Sequence, residues 1–198
     1  VHTDANLGAY LSTFATAVPT ILYATLLAGQ YTTPQVYVEV DAWFTNTAPV
    51  DAYRGAGRPE ATYLLERIVS RAAWEMGLGQ DEIRKRNFIK PKAMPYTTAV
   101  GKIYDSGDFN KHMSRAQEMA DWDGFKKRAS EAKRKGLIRG IGLATYIEAC
   151  GNNGPDMAEI KLDPDGGVTA LVGSQSSGQG DDTSYAQLVA DQFGCVTR

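Results

Sequence analysis

Hydrophobic and polar positions follow two rhythms along this chain, and the changes of rhythm mark out its elements. Over residues 59–76, Ala61, Leu64, Leu65, Ile68, Ala72 and Met76 recur at helical spacing. This predicts an amphipathic helix with Glu60, Glu66, Arg67, Ser70, Arg71 and Glu75 on its outer face, ended by Gly77 and Gly79. Residues 36–47 instead alternate and are rich in β-branched and aromatic side chains, which predicts a central strand. Residues 20–29, behind Pro19, are apolar nearly all round and read as a buried helix. A short helix is expected at 81–87, with Asp81 and Glu82 at its positive end and Arg84, Lys85 and Arg86 at its negative end. Two polar helices follow at 108–120 and 123–135.

Past Gly136 the texture changes. Residues 139–149 alternate as a strand, and 158–162 and 168–172 alternate on either side of Asp163-Pro164-Asp165-Gly166-Gly167, a hairpin pattern. Tyr185, Leu188, Val189 and Phe193 stripe a last helix that Gly194 ends. The expected fold class is α+β: a helix-rich first part, 1–136, and a second part, 137–198, built on an antiparallel hairpin sheet.

Composition narrows the function classes. With 43% hydrophobic and 22% charged residues and a net charge of −2, the chain offers no electrostatic case for nucleic acid or an acidic membrane surface. Its longest apolar run, about residues 14–28, contains Pro19 and is too short to span a bilayer. Cys150 and Cys195 make neither a disulfide framework nor a metal pair, which fits a reducing, cytoplasmic setting. His112 stands alone on a polar helix and reads as solvent-facing, and the basic stretch 126–139 reads as a solvated helix face.

Chemistry concentrates in two loops. Asp51-Ala52-Tyr53-Arg54-Gly55-Ala56-Gly57-Arg58-Pro59-Glu60-Ala61 lies between the strand and the first long helix. Its glycines permit positive φ or close approach of a ligand, its arginines carry permanent charge, and Pro59 suits a first helical turn. By residue type alone it is either a ligand-approaching loop or a tight turn with two surface arginines. Gly173-Ser174-Gln175-Ser176-Ser177-Gly178-Gln179-Gly180 likewise joins a strand to a helix and could receive an anion at the helix start, or simply cap the helix. Gly173 and Gly178 have the spacing that opens a P-loop, but Gln179 and Gly180 stand where Lys and Ser/Thr are required, and GxGxxG spacing is absent.

Ala52-Tyr53-Arg54-Gly55-Ala56-Gly57-Arg58, continued by Pro59-Glu60-Ala61, resembles the active-site loop of molybdenum hydroxylases. The resemblance is to the large, molybdopterin-binding subunit of the xanthine dehydrogenase, aldehyde oxidase and aerobic carbon-monoxide dehydrogenase family. It extends to Tyr146-Ile147-Glu148-Ala149-Cys150-Gly151 and to the 173–180 loop, in family order. It implies a molybdenum–pterin cofactor (a pyranopterin, plain or as the cytosine dinucleotide) whose metal is held by the pterin dithiolene rather than by side chains. It further implies hydroxylation with oxygen from water, an FAD-binding medium subunit, an iron–sulfur small subunit and a small-molecule substrate. Carried over by position, Arg54 and Gly55 lie beside the metal, Ala56 faces the substrate, and Gly178, Gln179 and Gly180 contact the cofactor, with the Gln179 amide as donor. Residues 1–136 and 137–198 would be parts of two successive molybdopterin-binding subdomains.

Two departures qualify the resemblance. Carbon-monoxide-oxidising members carry a copper-binding cysteine where this chain has Gly55, so an aldehyde or N-heterocycle is the preferred substrate class and carbon monoxide the alternative. Many relatives have His-Glu after the second loop, where this chain has Asp181-Asp182. The family's upstream glycine–phenylalanine loop and its downstream activating glutamate lie outside 1–198, and Glu148 is no substitute for the latter. The sequence is therefore expected to be a catalytically incomplete piece of a longer chain. A detached domain that binds a cofactor or partner without turnover is the rival reading.

Overall fold

In the computed structural model, β1 (His2–Gly8) and β2 (Glu39–Phe44) pair in parallel, with His2 opposite Glu39 and Asp4 opposite Asp41. The structure describes residues 1–149 and 156–196, so the last two residues of the 146–151 motif lie outside it. Among the described residues β2 pairs with β1 alone. The expected central strand is thus an outer one, and Trp43 and Phe44 stay exposed on it. Branched and aromatic residues report a fit to a pleated surface, not a number of neighbours.

The crossover between these strands corrects a second expectation. Residues 20–29 do not form a continuous helix. A π-helical turn, Val18–Leu22, places the Leu22 N–H on Ala17 O, five residues back, at 3.0 Å. Tighter turns follow, with the N–H groups of Leu26 and Leu27 reaching only three back, to Tyr23 and Ala24. Pro19 removes one donor. The hydroxyls of Thr20 and Thr25 bond back to the carbonyls of Thr16 and Ile21 (2.5 and 2.7 Å) and compete with the helix for acceptors. Burial survives the change, since Tyr23, Leu26, Leu27 and Ala28 are all enclosed.

α1 (Arg58–Glu75) starts behind Gly57 with Pro59 in its first turn, as the sequence predicts. Its buried face is the predicted one only in part, with Leu64 and Leu65 half-buried against apolar clusters. Ala61, Glu66 and Ala73 are buried, whereas Ile68 and Met76 are exposed. α2 (Gln80–Asn87) follows, then a small antiparallel pair, β3 (Tyr96–Thr97) and β4 (Ile103–Tyr104). α3 (Phe109–Met119), capped by the Asp108 carboxylate on the Lys111 N–H, and α4 (Phe125–Arg134) match the two polar helices. His112 is exposed, as are most of the basic residues of 126–139.

Two apolar clusters organise this region. Tyr31, Phe88, Ile89, Tyr104, Phe109 and Met113 form one, with Tyr31 and Phe88 stacked at 5.6 Å. Tyr23, Leu26, Leu27 and Ala61 form the other, and Ile147 packs against both. The strand expected at 139–149 is absent, because this segment is fastened by side chains instead of a ladder. The Thr145 N–H donates to Glu66 Oε2 at 2.7 Å, and Gln30 Nε2 donates to Tyr146 O at 2.6 Å.

The chain divides into two compact units, Val1–Ala149 and Cys150–Arg198, so Gly136 falls within the first. In the second, β5 (Ala158–Leu162) and β6 (Val168–Val172) form the predicted hairpin in full register, Ala158 opposite Val172. The turn closes through Asp163 N–H to Gly167 O at 2.8 Å, with Gly166 at φ +85°. α5 (Asp181–Phe193) ends at Gly194 in the left-handed conformation. Helices together with small, mainly antiparallel sheets make the fold α+β, as expected. No helix among the described residues is long and apolar enough to cross a membrane.

Candidate functional site

The first loop becomes a compact turn whose shape its residue types dictate. Gly55, Ala56 and Gly57 all have positive φ, at +96°, +34° and +86°. Only glycine enters that region freely, which accounts for glycines on both sides of Ala56. The Ala56 N–H bonds to Tyr53 O at 2.9 Å and the Arg58 N–H to Gly55 O at 3.0 Å, so the turn is held by its own backbone. Gly57 is buried, and a Cβ there would lie 2.3 Å from Val18 O. Arg54 is exposed, while Gly55 and Ala56 are half-buried. The structure therefore brings Arg54, Gly55 and Ala56 together at the start of α1.

Arg58 ties this turn to another segment. Its Nη1 donates to Ala56 O at 3.3 Å, and its Nε lies 3.5 Å from Glu148 Oε1. The arginine side chain is only 15% exposed, against 42% for the glutamate. Sequence reasoning treated Arg58 as a loop charge and Glu148 as a strand residue; no local pattern joined them.

A second connection missed by sequence reasoning lies beneath α1. Glu66, assigned to the outer face, is buried, and so is Arg84, assigned to the negative end of a short helix. Arg84 Nε and Nη2 donate to Glu66 Oε2 at 2.9 and 2.8 Å, and Tyr31 Oη donates to Glu66 Oε1 at 2.5 Å. Burial, then the hydrogen bond to Glu66, holds the Tyr31 hydroxyl well above the usual phenol range. The remaining guanidinium N–H groups reach Gln80 O and Ser70 Oγ.

The second loop lies in the other unit, where Gly178, Gln179 and Gly180 are exposed in one turn at the start of α5. Gly178 and Gly180 have φ of +92° and +90°. The Gln179 side chain folds onto the loop: Nε2 donates to Gln175 O (3.0 Å) and Asp181 Oδ2 (2.7 Å), and Oε1 accepts from the Ser177 N–H (2.5 Å). Both loops thus deliver the chain to a helix through a left-handed glycine N-cap, Gly57 or Gly180, with no side chain bonded over the first amides. At α5 such a start leaves backbone donors for a ligand, whereas at α1 the Arg58 N–H is already bonded to Gly55 O and Pro59 has no donor. A Cβ at Gly180 would meet nothing within 4 Å, so the backbone there is open to close approach. The start of α5 thus suits a polar, anionic group.

Comparison with known proteins agrees. Residues 1–88 and 115–198 each match a family model described as a molybdopterin cofactor-binding domain. The carbon monoxide dehydrogenase large chain of Hydrogenophaga pseudoflava is 36% identical over 85% of this chain. The 6-hydroxypseudooxynicotine dehydrogenase complex subunit gamma of Paenarthrobacter nicotinovorans is 33% identical over 95% of it. The chain spans 23% and 24% of the length of these two relatives. Among solved structures, Cu,Mo-CO dehydrogenase aligns over 98% of this chain and 27% of its own, with a TM-score of 0.78 and 30% identity. Quinoline 2-oxidoreductase of Pseudomonas putida 86 aligns over 95% of this chain and 26% of its own, with a TM-score of 0.77 and 28% identity.

Proposed function

As this chain belongs to the molybdopterin-binding large subunits of the molybdenum hydroxylase family, we propose that it is part of a hydroxylase that oxidises an aldehyde or N-heterocycle with oxygen taken from water. The observation that carries the substrate class is Gly55. In this turn it sits at φ +96°, and a Cβ would lie 2.7 Å from Pro59 Cγ. A side chain is disfavoured at the position where carbon-monoxide-oxidising members place a thiolate for copper.

A bound cofactor would supply the redox chemistry and the oxygen transfer. The chain's own residues bind and orient. Arg54 contributes a permanent positive charge beside an anionic group. Gly55 keeps the backbone low enough for close approach. Ala56 forms a small pocket wall that leaves room for a planar substrate. Gly178 and Gly180 present backbone at the α5 start, where the helix dipole favours an anion. Gln179 reaches the cofactor by releasing Asp181, whose carboxylate an anionic ligand repels. Names such as large chain and complex subunit gamma among the relatives support assembly with partner subunits. We assign an FAD subunit and an iron–sulfur subunit to that role and place the enzyme in the cytoplasm. The cofactor is a pyranopterin, plain or as its cytosine dinucleotide. The two family-model matches, over 1–88 and 115–198, support two successive cofactor-binding subdomains; the boundary at 136/137 is our placement, since the second match begins ahead of it and the compact units divide at 149/150.

The deciding experiment uses the full-length subunit co-expressed with its partners. Molybdenum content is measured first, then turnover of aldehydes, N-heterocycles and carbon monoxide with an artificial acceptor in isotopically labelled water. Labelled oxygen in a carboxylic or hydroxylated heterocyclic product is expected. Turnover confined to carbon monoxide, or full loading without turnover of any of the three, overturns the reading.

A further inference from the structure

The segment 143–149 has no strand partner among the described residues, yet its position is set at successive residues. Leu143 and Ile147 enter the apolar clusters. The Thr145 N–H is held by the buried Glu66 carboxylate and Tyr146 O by Gln30 Nε2. Glu66 is itself fixed by Arg84 and Tyr31, so the anchor is rigid. The next polar side chain along is Glu148. Its Oε1 lies 3.5 Å from Arg58 Nε, and the same guanidinium donates through Nη1 to Ala56 O.

Ala56 is where such a device is needed. It is a non-glycine residue at φ +34°, a conformation that persists only where its surroundings over-determine it. Two restraints act on its peptide groups: the backbone bond to Tyr53 O and the Arg58 side chain on its carbonyl. A guanidinium free to rotate would hold that carbonyl poorly. Glu148, at ion-pair distance from Nε, restrains it, and Glu66 in turn fixes the segment that carries Glu148.

We infer that Glu148 is a positioning residue for the Arg54–Gly57 turn, holding the Arg58 guanidinium on the Ala56 carbonyl and so fixing the strained wall of the cofactor and substrate site. The role at the cofactor rests on the function proposed above; the role in ordering the turn does not.

The test compares wild type with Glu148→Gln and Arg58→Lys in the full-length, cofactor-loaded complex. Glutamine keeps the shape and loses the charge; lysine keeps the charge and loses the Nη1 donor. Three readouts are taken: amide hydrogen exchange at residues 54–58, the paramagnetic molybdenum signal at equal metal content, and kcat and KM separately. Both variants should speed exchange at Ala56 and Arg58 while α3 amides stay unchanged. They should shift the molybdenum signal and lower kcat about tenfold with KM nearly constant, as misplacement of a reacting group does. Unchanged exchange, or faster exchange with an unshifted signal in the loaded enzyme, overturns the inference. A wild-type complex that carries no molybdenum defeats the function reading instead, and the exchange result then decides the ordering role alone.

Discussion

Glu66 and Arg84 form a buried ion pair, Nη2 to Oε2 at 2.8 Å, with the arginine side chain 0% and the glutamate 6% exposed. Ser70 and Gln80 join it from the same two helices, and two further stretches of chain converge on it at Tyr31 and Thr145. Its charge is matched and each guanidinium nitrogen of Arg84 has an acceptor, and no buried side-chain polar atom among the described residues lacks a partner. Removing one member strands the other. Arg84→Met should therefore destabilise the first unit by about 3–5 kcal/mol, and Glu66→Gln by somewhat less. The double variant Glu66→Leu with Arg84→Met should recover much of the loss, because paired apolar replacement removes the stranded charge. Denaturant unfolding of all three variants checks this; equal losses in the single and double variants would sink it.

Alkaline stability should report the phenols around the same core. Burial pushes the Tyr104 hydroxyl up to about 12, and Tyr31 is raised further by burial and by Glu66. The unfolded chain releases these protons near pH 10.0, the ordinary phenol value. Between that pH and the folded values the native state holds protons that the unfolded state has lost, so stability falls as pH rises through the window. Below pH 10 the contribution is whole. Tyr104 donates to Gly29 O at 2.7 Å, so Tyr104→Phe should cost about 1 kcal/mol at neutral pH and flatten the alkaline decline. Phenolate absorbance alongside unfolding curves measures both.

His2 offers a titration at the surface. Its Nε2 lies 2.7 Å from Asp41 Oδ2, and that hydrogen bond, with Glu39 nearby, raises its pKa above 6.5. A raised cationic group stabilises the fold below the unfolded value and loses that contribution as pH rises through the folded one. The ring should titrate above 6.5 by NMR and return toward it in Asp41→Asn. A shift that survives the substitution would assign the cause elsewhere.

What the sequence disclosed was what is local. The 163–167 turn and the Gly57–Pro59 helix start each depend on a few adjacent residues, and both form as expected. Glu66 and Arg84 were unreadable because charge predicts exposure until a partner appears, and their partners lie on other segments. Residues 139–149 alternate like a strand, yet alternation reports sidedness and not a ladder; Glu66 and Gln30 supply the missing bonds. The two loops were legible through their glycines, but the Arg58–Glu148 link was not, since nothing in either motif points to the other.

Gly57 tests the shape of the first loop. At φ +86°, with Val18 O 2.3 Å from any added Cβ, the position rejects even a methyl group by backbone contact. Gly57→Ala should cost about 2 kcal/mol or more, combining left-handed strain with overpacking. Gly180→Ala, at φ +90° with open space around its Cβ, carries the strain alone and should cost about 1 kcal/mol. Thermal unfolding of the two variants separates the terms, and an equal cost would remove the Val18 contact from the account.

Gly55→Cys puts the substrate assignment at risk directly. The new side chain would have to sit at φ +96° with its Cβ 2.7 Å from Pro59 Cγ, a ring that cannot rotate away as a flexible chain end could. The turn must shift, and the bond from the Arg58 N–H to Gly55 O shifts with it. A stability cost of about 1–2 kcal/mol is expected from the left-handed conformation, before any steric contribution. The displaced thiol would not take the place that the Gly55 backbone holds in this turn. The variant complex, reconstituted with copper, should therefore lose the activity proposed toward aldehydes or N-heterocycles without gaining carbon monoxide oxidation. Carbon monoxide turnover in Gly55→Cys would mean that the turn tolerates the thiolate after all, and that glycine at this position does not set the substrate class.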